Sequence, residues 1–149
     1  MTKLTAIAFV VVNALFKSSP SDQWSAALGP SNGGTVSGTA TAEGVGTTDS
    51  TRVKISIHGA KPNTSLPWHI HHGSCSAAGP VLGSPTGYPK LQTTGTGSAD
   101  GLVTLPVRPS KSGSYAVLVH GAAAAPAKPG SDVIACGDLR PVLNKMPTN

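Results

Sequence analysis

The sequence is poor in charge and in aromatic side chains: charged residues make up 11% of its 149 residues and aromatic residues 4%. It is instead rich in helix-interrupting residues, with 18 glycines and 13 prolines. This composition argues against a helical bundle and favours short strands joined by turn-rich loops. A chain of this length is long enough for one domain with its own core.

Clusters of basic residues are missing, although the formal net charge is +5. The 11 lysines and arginines stand singly, without the basic runs or interleaved aromatics that are typical of nucleic-acid-binding surfaces. We therefore expect no nucleic-acid partner. A mildly positive surface can still raise the encounter rate with a small anion.

No apolar stretch is as long as a membrane-spanning helix requires. Met1-Thr2-Lys3 precedes an apolar stretch over residues 4–16, which has the length of a secretory signal. We predict a signal peptide over residues 1–19, an extracytoplasmic location (periplasmic or secreted), and no membrane span after signal removal. An uncleaved anchor or a buried strand is the alternative. The cleavage point stays open, with Ser25-Ala26-Ala27 as a late option.

Cysteine is scarce, and Cys75 and Cys136 are the only two in the sequence. In an exported protein, an even number of cysteines far apart in sequence favours a disulfide. Closing a loop of about 60 residues would stabilise the fold by roughly 4 kcal/mol. Two buried free thiols are the alternative, which would fit a cytosolic protein better.

Alternating apolar and polar residues predict several short strands, most clearly over residues 52–58. His58 falls on the outward face of that strand, which favours a solvated surface histidine over a ligand. Asp100-Gly101 is a hairpin signal. Seven or eight such strands predict an all-β fold, an immunoglobulin-like Greek-key β-sandwich or barrel. We place a linker at residues 20–33, the domain at 34–140 and a tail at 141–149.

Three of the five histidines form a candidate metal site. His69 and His71 share one face of a predicted strand, roughly 7 Å apart at the backbone. His120 ends a later predicted strand and is the candidate third ligand. Imidazole nitrogens bind both copper and zinc, and the spacing does not choose between them. The histidines of a strand can also be exposed polar residues without a metal.

Two further residues near this site carry weaker signals. His72 points away from His69 and His71 by strand alternation, so we expect a polar strand-end residue rather than a substitute ligand. A bulge at that point would change this. For Asp138 we expect an ordinary surface carboxylate, with orientation of a ligand histidine as the alternative.

Five motifs in order resemble those of the copper/zinc superoxide dismutases. The motifs are Trp68-His69-Ile70-His71, Cys75 with Ala78-Gly79-Pro80, Asp100-Gly101, Val117-Leu118-Val119-His120, and Ala135-Cys136-Gly137. The resemblance covers about residues 34–140. It implies that family's Greek-key barrel, copper at His69, His71 and His120 as the catalytic centre, and a disulfide between Cys75 and Cys136.

The sequence departs from this family at the zinc site and at the active-site arginine. The family's bridging histidine directly follows the Gly-Pro, where this chain has Val81, and residues 82–94 contain neither histidine nor aspartate. The family's arginine corresponds to Val133. We therefore expect copper without zinc, and superoxide as a substrate that is turned over weakly, if at all.

Other functions stay open at this stage, as does the question of whether the chain is an enzyme. The main alternative is a non-enzymatic copper carrier or buffer outside the cytoplasm, whose partner is a copper-exchanging protein. A structural or adhesive β-sandwich and a zinc hydratase are further alternatives. The sequence makes no prediction of the oligomeric state.

Overall fold

The computed structural model describes residues 22–121 and 132–143, which form strands and one short 3₁₀ helix at Pro85–Gly87. The strands are β1 (Gln23–Pro30), β2 (Ser37–Gly44), β3 (Thr51–His58), β4 (Ser65–Leu66), β5 (Trp68–Ser74), β6 (Ala77–Val81), β7 (Leu91–Gln92), β8 (Ala99–Leu105), β9 (Tyr115–His120) and β10 (Val133–Pro141). In this part of the chain, no helix has the length and apolar character needed to cross a bilayer.

Eight of these strands form one curled antiparallel sheet in the order β6-β5-β9-β10-β1-β2-β3-β8. β4 and β7 pair separately as a short ribbon. Neighbours such as β5 and β9, or β3 and β8, are distant in sequence, which gives the crossed connections of a Greek key. The predicted all-β Greek-key fold is confirmed.

The alternation in β3 explains how the sheet forms its core. Val53, Ile55 and Ile57 are buried, and the residues between them are exposed. This matches the period of two that a strand needs to bury one face. The same rule places Trp68 and Ile70 of β5 in the core, so His69 and His71, which alternate with them, lie on the other face of the sheet.

The predicted linker at residues 20–33 is wrong, because this stretch contains β1. β1 pairs with both β2 and β10 and buries Trp24, Ala26 and Leu28. The late cleavage option at residues 25–27 falls inside this strand. The predicted signal peptide at 1–19 lies outside the described residues, as do residues 144–149 of the predicted tail.

The predicted hairpin at Asp100-Gly101 is also wrong, because both residues lie inside β8 and pair with β3. The chain turns earlier, where the amide of Gly97 donates to the carbonyl of Thr94 and Gly97 has a φ of 79°. Gly101 instead provides space for its neighbours, since an added Cβ would lie 2.7 Å from the Leu91 side chain. The glycine therefore marks close packing rather than a turn.

A disulfide joins Cys75, between β5 and β6, to Cys136 in β10. Beside it, a carboxylate oxygen of Asp138 accepts a hydrogen bond of 2.9 Å from the Cys75 amide. Asp138 is half-exposed and lies 3.7 Å from Arg140. Its role is therefore to hold the disulfide loop on β10, which is more than the ordinary surface carboxylate that the sequence predicted.

Candidate metal centre

The pairing of β5 with β9 brings the three predicted ligands together. In their antiparallel register His69 lies opposite Leu118 and His71 opposite Ala116. The amide of His120 donates to the carbonyl of Pro67, just before β5, at 2.8 Å. His120 therefore lies beside His69 on the face of the sheet that is turned away from the main core.

The distances between the rings are short enough for one ion. The ring centroids are 5.5 Å apart for His69 and His120, 5.8 Å for His69 and His71, and 6.0 Å for His71 and His120. One nitrogen from each ring lies within 4.8 Å of the other two. Bonds of about 2 Å place nitrogens roughly 3.5 Å apart around a three-coordinate ion, so small ring rotations would complete the site.

Hydrogen bonds fix which nitrogen of two of the rings is free. The Nδ1 of His71 lies 2.9 Å from the carbonyl oxygen of Gly79, and the Nδ1 of His120 lies 2.9 Å from a carboxylate oxygen of Asp132. Both partners only accept, so each Nδ1 must carry the proton. In the neutral form of each ring, Nε2 then carries a lone pair, and both Nε2 atoms are buried without a hydrogen-bond partner. A buried lone pair of this kind fits a metal ion.

The third ring, His69, lies in a more apolar setting. Burial lowers the pKa of His69, and the neighbouring His120 and His71 lower it further, while a hydrogen bond with the backbone of Pro85 opposes the shift. A lowered pKa keeps the ring neutral near pH 7. Neutral imidazole is the form that binds a metal, so the environment of His69 favours coordination.

An aromatic pair supports the ring of His69. Tyr88 contacts His69 and Trp68 edge to face, with centroids 5.2 Å away in both cases. The Tyr88 hydroxyl donates to the carbonyl of Leu82, and the Trp68 indole donates to the carbonyl of Pro89. Burial raises the pKa of Tyr88 to about 12, so the phenol stays protonated and keeps its hydrogen bond to the Leu82 carbonyl.

An open cleft of about 760 Å³ gives access to the site and is lined by His71, His120, Asp132 and both cysteines, among others. None of the residues that the structure places along it is a lysine or an arginine. The charged side chain in this lining is the carboxylate of Asp132. Among the described residues, the cleft therefore offers room for a small ligand but no lysine or arginine to attract an anion.

Val81 and Val133 occupy the places where the family resemblance expects a histidine and an arginine. Val81 pairs with His71 across β5 and β6, and it packs against the core. Val133 is buried and pairs with His120. Neither side chain carries a donor atom, so neither contributes to coordination.

The two remaining histidines lie apart from the three-histidine group, as predicted. His58 is exposed and hydrogen-bonds the hydroxyl of Ser37 at 2.9 Å. His72 is exposed and packs on the ring of Tyr115, with centroids 5.1 Å apart. The β5–β6 register shifts between His71 and Gly73, yet His72 does not join the group.

Asp132 is the site residue that the sequence analysis missed. It immediately precedes β10, and its distance from His120 in sequence hides their contact. The available signal was indirect. Asp132 lies one residue before β10, and β10 pairs with β9, the strand that ends at His120.

Comparisons with known proteins support the fold. No protein-family model matches the chain, and no curated protein matches it. Among solved structures, it is similar to a point mutant of superoxide dismutase 5 from Candida albicans, with a TM-score of 0.55 and 12% identity. The match covers 85% of this chain and 95% of that chain. At this identity, the likeness establishes a shared superoxide dismutase-like fold.

Proposed function

We propose that this chain is an exported, superoxide dismutase-like protein that binds a single copper ion through His69, His71 and His120. The observation that carries the proposal is the cluster of three imidazole nitrogens within 4.8 Å, on a fold shared with a superoxide dismutase. Copper held there would supply one-electron chemistry between its cupric and cuprous states. The same three histidines are then the proposed catalytic residues.

The surrounding residues support copper without a second metal. Three neutral imidazoles with an open position suit copper or zinc, and the likeness in fold favours copper. Val81 lies opposite His71, where a bridging ligand would be needed, and it cannot coordinate. Residues 82–94 offer no histidine or aspartate for a neighbouring zinc ion. We therefore propose a mononuclear site that needs no zinc.

The protein's own groups limit how fast such a site could turn over superoxide. Gly79 and Asp132 hold the Nδ1 protons of His71 and His120, so each ring presents its Nε2 to the ion. Val81 can neither hold nor deliver a proton. We propose that superoxide dismutation at this site is weak.

A non-enzymatic copper carrier or buffer is the second candidate function. The cleft favours it, because its lining carries the Asp132 carboxylate and neither lysine nor arginine among the described residues. A negative side chain beside the site disfavours the approach of an anionic substrate. Such a carrier would exchange copper with another protein, and that partner would use the same cleft.

Two features support an extracytoplasmic location. The disulfide between Cys75 and Cys136 is of the kind that persists in oxidising compartments. The apolar stretch at residues 4–16 has the length of a secretory signal. We propose removal of a signal peptide near residues 1–19, followed by a folded domain that begins upstream of residue 34 because β1 belongs to it. N-terminal sequencing of the mature protein would test the cleavage.

Copper titration tests the metal site directly. The purified protein is loaded with copper and its metal content measured, alongside His120→Ala and the control His58→Ala. We expect one copper per chain in the wild type and in His58→Ala, and at least tenfold weaker binding in His120→Ala, since one of three ligands is lost. Equal copper binding by all three proteins would contradict the proposal. Zinc binding that exceeds copper binding would contradict the choice of metal.

Pulse radiolysis of the copper-loaded protein separates the two candidate functions. Weak but measurable superoxide decay that is lost in His120→Ala supports the dismutase. Copper binding without any such decay supports the carrier. A rate near the diffusion limit would show that turnover is limited neither by Val81 nor by the Asp132 carboxylate in the cleft.

A further inference from the structure

The three histidines differ in the charge of their hydrogen-bond partners. The His71 ring bonds to the carbonyl of Gly79, and the backbone beside the His69 ring, at Pro85, is also neutral. His120 bonds to the Asp132 carboxylate at 2.9 Å. Within residues 22–121 and 132–143, this is the one carboxylate that hydrogen-bonds any of the three rings. The site is therefore asymmetric, with negative charge next to a single ligand.

The backbone holds Asp132 in place for this contact. The amide of Gly121 donates to the Asp132 carbonyl at 2.7 Å, and the next residue, Val133, pairs directly with His120. The carbonyl of Val133 in turn accepts a hydrogen bond of 2.8 Å from the Asn32 side chain. The two side chains are largely shielded, with exposed fractions of 15% for His120 and 24% for Asp132. A contact fixed at both ends and partly shielded retains more of its strength than a surface pair.

We propose that Asp132 is a positioning residue that orients His120 and biases the site toward the cupric rather than the cuprous ion. This inference rests on the proposed copper site and deepens it. A carboxylate that accepts the Nδ1 proton fixes the tautomer and makes the other nitrogen a stronger donor. Its negative charge also attracts a doubly charged ion twice as strongly as a singly charged one at the same distance. Three neutral imidazoles alone would lack this bias.

The variants Asp132→Asn and Asp132→Ala separate orientation from charge. Asparagine keeps an acceptor oxygen but removes the charge, whereas alanine removes both. Asp100→Asn is the matched control, since it removes an exposed carboxylate from the distant edge strand β8. Competition titrations with chelators measure cupric and cuprous affinity separately for each protein.

For Asp132→Asn we expect cupric affinity to fall about 10–100-fold, in line with losses of other groups that orient metal ligands, and cuprous affinity to change much less. Each tenfold fall in the ratio of cupric to cuprous affinity corresponds to a rise of about 59 mV in the reduction potential of the copper. For Asp132→Ala we expect the same ratio of cupric to cuprous affinity as for Asp132→Asn. We also expect a further loss of affinity for both ions, because the acceptor oxygen is gone as well. A ratio within about twofold of that of Asp100→Asn in both variants would overturn the proposal.

A measurement without metal keeps the orienting role testable even if a variant folds poorly. Nitrogen NMR of the metal-free wild type should show the His120 proton on Nδ1, and Asp132→Ala should lose that preference. A wild-type proton on Nε2 would overturn the inference while leaving the copper site untouched. A wild type that binds no copper would instead refute the proposed function, and with it the bias toward the cupric ion.

Discussion

Loss of the disulfide provides a quantitative test of how the loop beside the metal site is held. The bond between Cys75 and Cys136 joins residues separated by 61 positions. In the chain-entropy model, closing a loop of this length stabilises the native state by about 4 kcal/mol at 25 °C. For a domain of this size, we expect Cys75→Ser combined with Cys136→Ser to lower Tm by roughly 10–20 °C.

The assay is urea unfolding of the metal-free protein, followed by tryptophan fluorescence and circular dichroism. Adding a reductant is the internal control: it should destabilise the wild type by a similar amount and leave the double serine variant unchanged. The hydrogen bond from the Cys75 amide to Asp138 can form in both proteins. A loss below about 1 kcal/mol with an unchanged m-value would refute the loop-closure argument, because only a loop already constrained in the unfolded state would behave so.

Three further predictions follow from the site and its surroundings. Because the pKa of His69 is lowered, the stability of the metal-free protein should be full above pH 6.5 and decline below it, where only the unfolded chain takes up this proton. Urea titrations from pH 5 to 8 would measure this, and a decline of the same size in His69→Gln would contradict it. Val81→His should raise cupric affinity at least tenfold in chelator competition, since residue 81 is paired with His71; an unchanged affinity would show that residue 81 does not face the ion. Gly137→Ala should cost about 1–3 kcal/mol in the free energy of unfolding, because its Cβ would lie 2.3 Å from the Ala27 carbonyl oxygen; a wild-type urea midpoint would contradict that close approach.

The clustering of the three histidines was predictable because it depends on strand periodicity. Alternation places His69 and His71 on one face whatever the rest of the fold does. The order of the motifs then identified His120 as the third member, and the β5–β9 register brings it beside them. The buried faces of β3 and β5 were predictable for the same reason.

The features that were missed depend on packing between distant segments. β1 was assigned to a linker because serine, alanine and glycine weaken its alternation, although Trp24 and Leu28 lie in the core. The turn signal at Asp100-Gly101 was misleading because Gly101 is needed for close packing against Leu91. Asp132 reaches His120 only through the pairing of β9 with β10, which shifts register between Val133 and Ala135. Sequence spacing alone does not specify such a shift.

In the proposed site, three imidazoles from β5 and β9 surround one copper ion. Pulsed electron paramagnetic resonance of the cupric protein tests this arrangement most directly, because it counts the imidazole rings bound to the metal. We predict three rings in the wild type and in His58→Ala, and two in His120→Ala. A wild-type count below three, or a count that His120→Ala leaves unchanged, would contradict the account.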